Sequence, residues 1–134
     1  MKDERLTLLG QGPEDLPAMS ALLQDATLRA PDIAWDRRAR RLALLVNRYR
    51  WEAGGGSRVR CALRIETVEA VQRQKWPADP EAVLALLSLA QDGDYLVLTF
   101  AAGAAIRAKV EVVEVVLEDI AAPWATGRMP QHPA

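Results

Sequence analysis

Residues 58–66 read Arg58-Val59-Arg60-Cys61-Ala62-Leu63-Arg64-Ile65-Glu66. Basic or small residues alternate with apolar ones along this stretch. A period of two is typical of a β-strand with one wet face and one buried face. The stretch therefore predicts a strand with outward arginines and inward aliphatic side chains, and a sheet must form around it.

Further strands are predicted on both sides of this stretch, because apolar runs alternate with polar or glycine-containing turns. Residues 82–90 are open to two interpretations, since periodicity cannot separate a strand from a helix in so short an apolar run. The hairpins that follow them favour a strand. The predicted strands are 6–9, 32–36, 41–51, 58–66, 68–74, 82–90, 95–100 and 105–109, with turns at Gly54-Gly55-Gly56-Ser57 and Gln91-Asp92-Gly93-Asp94.

Two helices are predicted, one near each end of the chain. Residues 13–26 carry apolar side chains at helical spacing, and acidic residues stand at their start, where the helix dipole favours negative charge. Residues 110–121 are rich in valine, which favours strands. Their glutamates, Glu111, Glu114 and Glu118, are nevertheless spaced by three and four, which places them on one stripe of a helix. We therefore predict a helix there.

These elements predict an α+β fold, in which a curled antiparallel sheet or partly open barrel follows the N-terminal helix. The apolar C-terminal helix would cover the open end of the sheet, an order that resembles the pleckstrin-homology-like architecture. Residues 1–125 are expected to form a single globular domain and residues 126–134 a flexible tail. Fold resemblance of this kind carries little information about function.

The composition argues against several classes of protein. The 134 residues include one cysteine and one histidine, so neither a disulfide framework nor a Cys/His metal site is expected. Cys61 is expected to be a buried thiol, and His132 lies in the predicted tail. No apolar run suits a signal peptide or a membrane span, which makes the cytoplasm the expected compartment. With no nucleophile beside a base, we expect neither an enzyme nor a bound cofactor.

Charge is unevenly distributed along the sequence. Residues 29–75 contain twelve basic and five acidic residues, and the remainder contains five basic and thirteen acidic residues. The pattern is compatible with an ordinary solvated surface of mixed charge, with an anion-binding face, or with attraction to the acidic part of the same chain or of another copy. The candidate binding residues are the arginines of two neighbouring predicted strands, namely Arg48, Arg50, Arg58, Arg60 and Arg64.

Two functions are compatible with this pattern. The first is a non-catalytic interaction or adaptor domain that binds a protein partner or a second copy of itself, through a sheet edge or groove. The alternative is an anion-binding module for RNA or a phosphorylated ligand, because arginine binds phosphate bidentately. Stacking on bases is disfavoured, since Tyr49 and Trp51 alternate with Arg48 and Arg50 and are expected to face the core.

Four short segments carry a further resemblance. They are Leu23-Gln24-Asp25-Ala26, Asn47-Arg48-Tyr49-Arg50-Trp51-Glu52, Gly103-Ala104-Ala105-Ile106-Arg107, and Trp124-Ala125-Thr126 with Pro130 and His132. Together they resemble a bacterial family, domain of unknown function 2948. The similarity extends over nearly the whole chain. It implies a compact bacterial cytoplasmic domain and implies no activity, cofactor or catalytic residue.

Overall fold

The computed structural model describes residues 5–51 and 56–121 together with the backbone of 124–125. These residues form eleven strands and one α-helix, α1. The elements are β1 (Thr7–Gly10), α1 (Leu16–Leu23), β2 (Thr27–Leu28), β3 (Ile33–Asp36), β4 (Arg41–Tyr49), β5 (Ser57–Ile65), β6 (Val68–Gln74), β7 (Leu84–Asp92), β8 (Tyr95–Phe100), β9 (Ala105–Val110), β10 (Val115–Asp119) and β11 (Trp124–Ala125).

The strands form one antiparallel sheet in two halves, with the order β1-β10-β5-β4-β2-β7-β8-β9-β6. Strand β3 pairs with β4, and β11 pairs with β5. The short strand β2 joins the halves, because Thr27 lies opposite Asn47 of β4 on one side and Ala85 of β7 on the other. No described strand connects β1 to β6, so the sheet stays open between these two ends of its order.

Alternating side chains from both halves fill a single hydrophobic core. In β5 every second residue is buried, from Val59 to Ile65, as the period of two predicts. The other half contributes residues such as Leu98 and Ile106 to the same core, so the sheet must bend over on itself. Helix α1 packs on the core through Leu16, Met19 and Leu23.

Most predicted strands are confirmed, including the ambiguous run at 82–90, which lies largely in β7. The turn that follows β7 has Gly93 at φ 59°, a left-handed backbone conformation that glycine adopts without strain. The N-terminal helix is confirmed but shorter than 13–26, because residues 13–15 form a 3-10 turn and α1 ends at Leu23. The glycine turn is described only from Gly56 onward, and the predicted tail at 126–134 lies outside the described residues.

The predicted C-terminal helix at 110–121 is wrong. Residue 110 ends β9, and Val115–Asp119 form β10, which pairs with β1 on one side and β5 on the other. The burial pattern has a period of two, with Val115, Leu117 and Asp119 buried. The β-branched residues thus follow their intrinsic preference for a strand.

The coarser prediction, an α+β chain dominated by a bent antiparallel sheet with an N-terminal helix, is confirmed. The pleckstrin-homology-like arrangement needs the capping helix and is not confirmed. In the part of the chain described, no helix is long and apolar enough to cross a membrane.

Candidate functional site

The five candidate arginines do not share one surface. Arg48 was predicted to point outward, but it lies on the inward face of β4, in line with Leu44 and Val46. It is fully buried, and it donates hydrogen bonds from Nε to Asp119 Oδ1 at 3.0 Å and from Nη2 to Oδ2 at 2.9 Å. A buried, bidentate ion pair of this kind is a structural contact, and it leaves the Arg48 guanidinium closed to an external anion.

The carboxylate of Asp119 also holds the first strand. Asp119 Oδ2 accepts a hydrogen bond from the backbone N–H of Leu6 at 2.8 Å, and Asp119 N donates to Leu6 O at 2.8 Å. Arg48 on β4 and Asp119 on β10 lie on opposite sides of β5, beside Val59 and Cys61. The pair therefore connects strands β4 and β10 across β5, and Asp119 links them to the chain entering β1.

Arg50 is also buried and was likewise predicted to be outward. It is 8 % exposed, and its Nη1 donates to Ser57 Oγ at 3.0 Å. Its backbone N–H donates to the carbonyl oxygen of Ser57, also at 3.0 Å. Arg50 thus lies against the start of β5 and away from an open surface.

Arg58 and Arg60 do face outward, but their own chain engages them. The Arg58 guanidinium lies 5.7 Å from the centre of the Tyr49 ring and donates to the carbonyl oxygen of Asn47 at 3.0 Å. Arg60 donates to Asp32 Oδ1 at 3.4 Å and to Asn47 Oδ1 at 3.3 Å. The Arg58 guanidinium thus packs on an aromatic ring, and the charge of Arg60 is partly neutralised by Asp32.

Tyr49 and Trp51 were expected to face the aliphatic core, but neither side chain joins it. Tyr49 is buried, but the register places it opposite Arg58, on the face of the sheet away from Leu44 and Val46. Trp51 packs edge-on against Tyr49, with ring centres 4.6 Å apart, and its indole N–H donates to Gln24 O at 3.0 Å. These aromatic rings cover one end of the outward surface.

Arg64 is the one candidate that lies on an open part of the sheet. We define the outer face as two rows of side chains across β1, β10, β5 and β4, pointing away from the core. One row is Leu9, Val116, Arg64 and Ala43, and the other is Thr7, Glu118, Ala62 and Leu45. Among the described residues, neither Arg64 nor Glu118 has an ion-pair or side-chain hydrogen-bond partner.

The outer face is apolar apart from these charges and a threonine. Leu9 is 54 % exposed and Leu45 is 37 % exposed, and no described element covers them. A sheet face normally becomes this apolar where something packs on it. Sequence reasoning missed Glu118, Leu9 and Leu45 as candidates. The signal that could have found Glu118 is the strand alternation of residues 115–119, which the helix prediction concealed.

A second feature is a cleft between the edge strands β3 and β6, with a volume of about 310 Å³. Its floor is formed by the buried residues Leu42 and Ile106. Its walls and rim are formed by Ala30, Ile33, Trp35, Val71, Arg73 and Trp76. Aromatic and aliphatic walls with one cation are typical of sites for small ligands. Sequence reasoning did not single out this set, because its members come from four separate stretches of the chain.

Cys61 is fully buried beside the Arg48–Asp119 pair. Burial, and to a lesser extent the negative charge of Asp119, together raise the pKa of its thiol to about 12. A thiol held protonated in this way is a poor nucleophile. Within residues 5–51 and 56–121, no three His, Cys, Asp or Glu side chains gather as metal ligands.

Comparison with known proteins identifies the family and no activity. No curated protein and no solved structure matches the chain significantly. A family model described as protein of unknown function (DUF2948) matches residues 6–132, which is nearly the whole chain. The resemblance expected from the sequence is thus confirmed, and the chain belongs to DUF2948, a family of proteins of unknown function.

Proposed function

We propose that the chain is a non-catalytic interaction domain that pairs with a second copy of itself through the outer face. The observation that carries this proposal is an apolar sheet face that no described element covers, on which Arg64 and Glu118 have no ion-pair partner among the described residues. Two-fold pairing brings each surface against an identical one, so such a surface must be complementary to itself. The outer face meets this requirement in both its apolar and its charged residues.

The register defines how the charges are arranged. Neighbouring strands lie about 4.8 Å apart, and alternate residues along a strand lie about 6.8 Å apart. On that grid Leu9, Val116, Ala62 and Leu45 fall within about 2 Å of one diagonal line. Arg64 lies about 4 Å to one side of the line, and Glu118 lies about 4 Å to the other.

A two-fold axis along this diagonal gives a self-complementary contact. Rotation about the axis places Arg64 of each copy over Glu118 of the other, which forms two equivalent ion pairs. The same rotation brings Leu9 close to Leu9 of the second copy and Leu45 close to Leu45. Packed sheets lie about 10 Å apart, a distance that an arginine and a glutamate can span together.

The size of the face sets the expected affinity. Four strands and two rows cover roughly 19 by 14 Å, which is small against the roughly 800 Å² per partner of a standard stable interface. We therefore expect a weak dimer with a dissociation constant in the micromolar range. Flanking residues would add to the buried area without adding a new anchor.

The alternative, an anion-binding module that uses the five arginines, has less support. Two of these arginines are buried, and two contact aromatic or polar groups of their own chain. Arg64 alone remains open, flanked on β10 by Glu118. A single arginine with an acidic neighbour is a weak site for a polyanion, which needs several cations close together.

Sedimentation velocity between about 5 and 500 µM tests self-association. We expect a concentration-dependent shift from monomer to dimer that 1 M salt weakens, because salt screens the Arg64–Glu118 pairs. Leu45→Glu should leave a monomer throughout, since it places two like charges near the axis. Val83→Glu is the matched control, because Val83 is 68 % exposed and lies off the outer face. A wild-type monomer at 500 µM, or a Leu45→Glu dimer as strong as wild type, would remove the proposal.

A further inference from the structure

The cleft between β3 and β6 lies on the other side of β3 from the outer face. Ile33 and Trp35 of β3 point into it, whereas Ala34 between them is exposed. Ligand binding in the cleft therefore does not depend on self-association through the outer face. We infer that this cleft binds a small aromatic carboxylate, with the ring between the two tryptophans and the carboxylate on Arg73.

The cleft has the size of a bicyclic ring system. A buried apolar cavity of about 150 Å³ is enough to hold benzene. The cleft is about twice as large, at about 310 Å³, and its floor of Leu42 and Ile106 is closed from solvent. A flat ring of two fused six-membered cycles therefore fits its volume. An extended chain of a protein partner would leave most of its own length outside.

Arg73 supplies the charge that selects an anion. Its guanidinium lies 5.4 Å from the centre of the Trp76 ring, which holds it at the rim of the cleft. In the part of the chain described, it has no carboxylate partner and donates no hydrogen bond. Its N–H groups are free to bind a carboxylate bidentately, which is the strongest contact that an arginine makes.

Trp76 provides a second, independent indication of a missing partner. Its indole nitrogen is buried and has no hydrogen-bond partner among the residues that the structure describes. Its ring packs edge-on against Phe100, with ring centres 5.7 Å apart. Buried donors are almost always paired in folded proteins, and the exceptions often occur where a ligand or water binds. A carboxylate oxygen near Arg73 would give this donor an acceptor after a small movement of the ring.

The experiment compares 2-naphthoate with 2-naphthalenemethanol and acetate, using the full chain and isothermal titration calorimetry. The first probe carries both the ring and the charge, and each of the others lacks one of them. For a ligand of this size we expect a dissociation constant for 2-naphthoate of about 1 mM or tighter. The alcohol should bind about tenfold more weakly, because it cannot form the charge-assisted contacts. Acetate should show no measurable binding.

Two variants locate the site. Arg73→Gln should lower the affinity for 2-naphthoate to that for the alcohol and leave the alcohol unchanged. Arg38→Gln removes an exposed arginine that does not line the cleft, so it should change neither the affinity for 2-naphthoate nor that for the alcohol. Two-dimensional ¹H–¹⁵N spectra should show the indole N–H signals of Trp35 and Trp76 moving on titration, with that of Trp51 unchanged.

Several results would overturn the inference. They are no binding of 2-naphthoate at 10 mM, equal affinity for the acid and the alcohol, or spectral changes confined to residues outside the cleft. An Arg73→Gln variant that binds 2-naphthoate as tightly as Arg38→Gln does would also overturn it. If Arg73→Gln fails to fold, the acid–alcohol comparison and the indole signals of the wild type still decide. The dimer proposal is unaffected in every case, because none of these probes or residues touches the outer face.

Discussion

Arg48 and Asp119 are 71 residues apart in the chain, yet they form a bidentate ion pair with both side chains fully buried. The pair spans β5, and it sits at the point where the aliphatic rows of β4 and β10 end. Removing two charges from water is costly, and their attraction offsets that cost only when the geometry is good. The two hydrogen bonds at 2.9–3.0 Å meet this condition.

Breaking the pair should destabilise the fold strongly. In Asp119→Ala the Arg48 guanidinium loses its carboxylate partner in the core, so we expect the free energy of unfolding to fall by about 3–5 kcal/mol. The double variant Arg48→Met/Asp119→Leu should lose much less than the sum of the two single changes, because neither charge of the pair is left without its partner. Urea denaturation measures the free energy of unfolding of the single and the double variants. Arg38→Ala, an exposed arginine, should change stability by less than about 0.5 kcal/mol. Near-additive losses in the double variant would contradict this account.

The same pair explains where sequence reasoning succeeded and where it failed. Alternation in residues 58–66 was sufficient to predict β5, because each of its inward residues is apolar or a thiol. Arg48 and Asp119 interrupt the apolar pattern of their strands at inward positions. A single sequence shows no reason for a charge to point inward, because the partner that compensates it is distant in the chain. Arg48 was therefore predicted to be outward.

The helix predicted at 110–121 failed for a related reason. Asp119 ended the apolar alternation of β10, and the spacing of the glutamates then favoured a helical stripe. Glu111 and Glu114 actually lie just before β10 and are not part of its pattern. The outer face and the cleft each combine side chains from several strands, so neither could be predicted before the strand order was known.

Adjacent alanine substitutions distinguish the strand from a helix in this segment. Leu117 is fully buried, whereas Val116 lies on the outer face. We expect Leu117→Ala to cost about 2–5 kcal/mol and Val116→Ala less than about 1 kcal/mol, measured by urea denaturation of dilute, monomeric protein. The helix predicted from the glutamate spacing would bury both residues on its apolar side. Two losses of similar size would therefore argue against the strand.

The buried thiol of Cys61 should make stability depend on alkaline pH. The pKa of this thiol is about 12 in the folded chain, compared with an ordinary value of 9.0. Below pH 9 both states keep the proton. Above pH 9 the unfolded state loses it and the folded state does not, so stability falls as pH rises toward 12. From pH 7 to pH 10 the wild type should lose about 1.4 kcal/mol more than Cys61→Ala.

The comparison with Cys61→Ala cancels the titration of other groups, because only the thiol differs between the two chains. Cys61 should also resist a thiol reagent at pH 8 in the folded protein and react rapidly in concentrated urea, since it is fully buried. Equal reactivity in both conditions, or parallel pH curves for the two chains, would show that the thiol is accessible.

A charge exchange on the outer face tests the proposed arrangement of the dimer. Arg64→Glu places two glutamates opposite each other at both ion-pair positions, and Glu118→Arg places two arginines there. Each single variant should raise the dimer dissociation constant by about tenfold or more, because like charges across an interface are strongly unfavourable. The double variant Arg64→Glu/Glu118→Arg restores opposite charges in exchanged positions, so its dissociation constant should return close to that of the wild type. Sedimentation velocity at matched concentrations measures all four proteins. If the dissociation constant of the double variant instead shows the combined losses of the two single variants, Arg64 does not face Glu118 of the second copy.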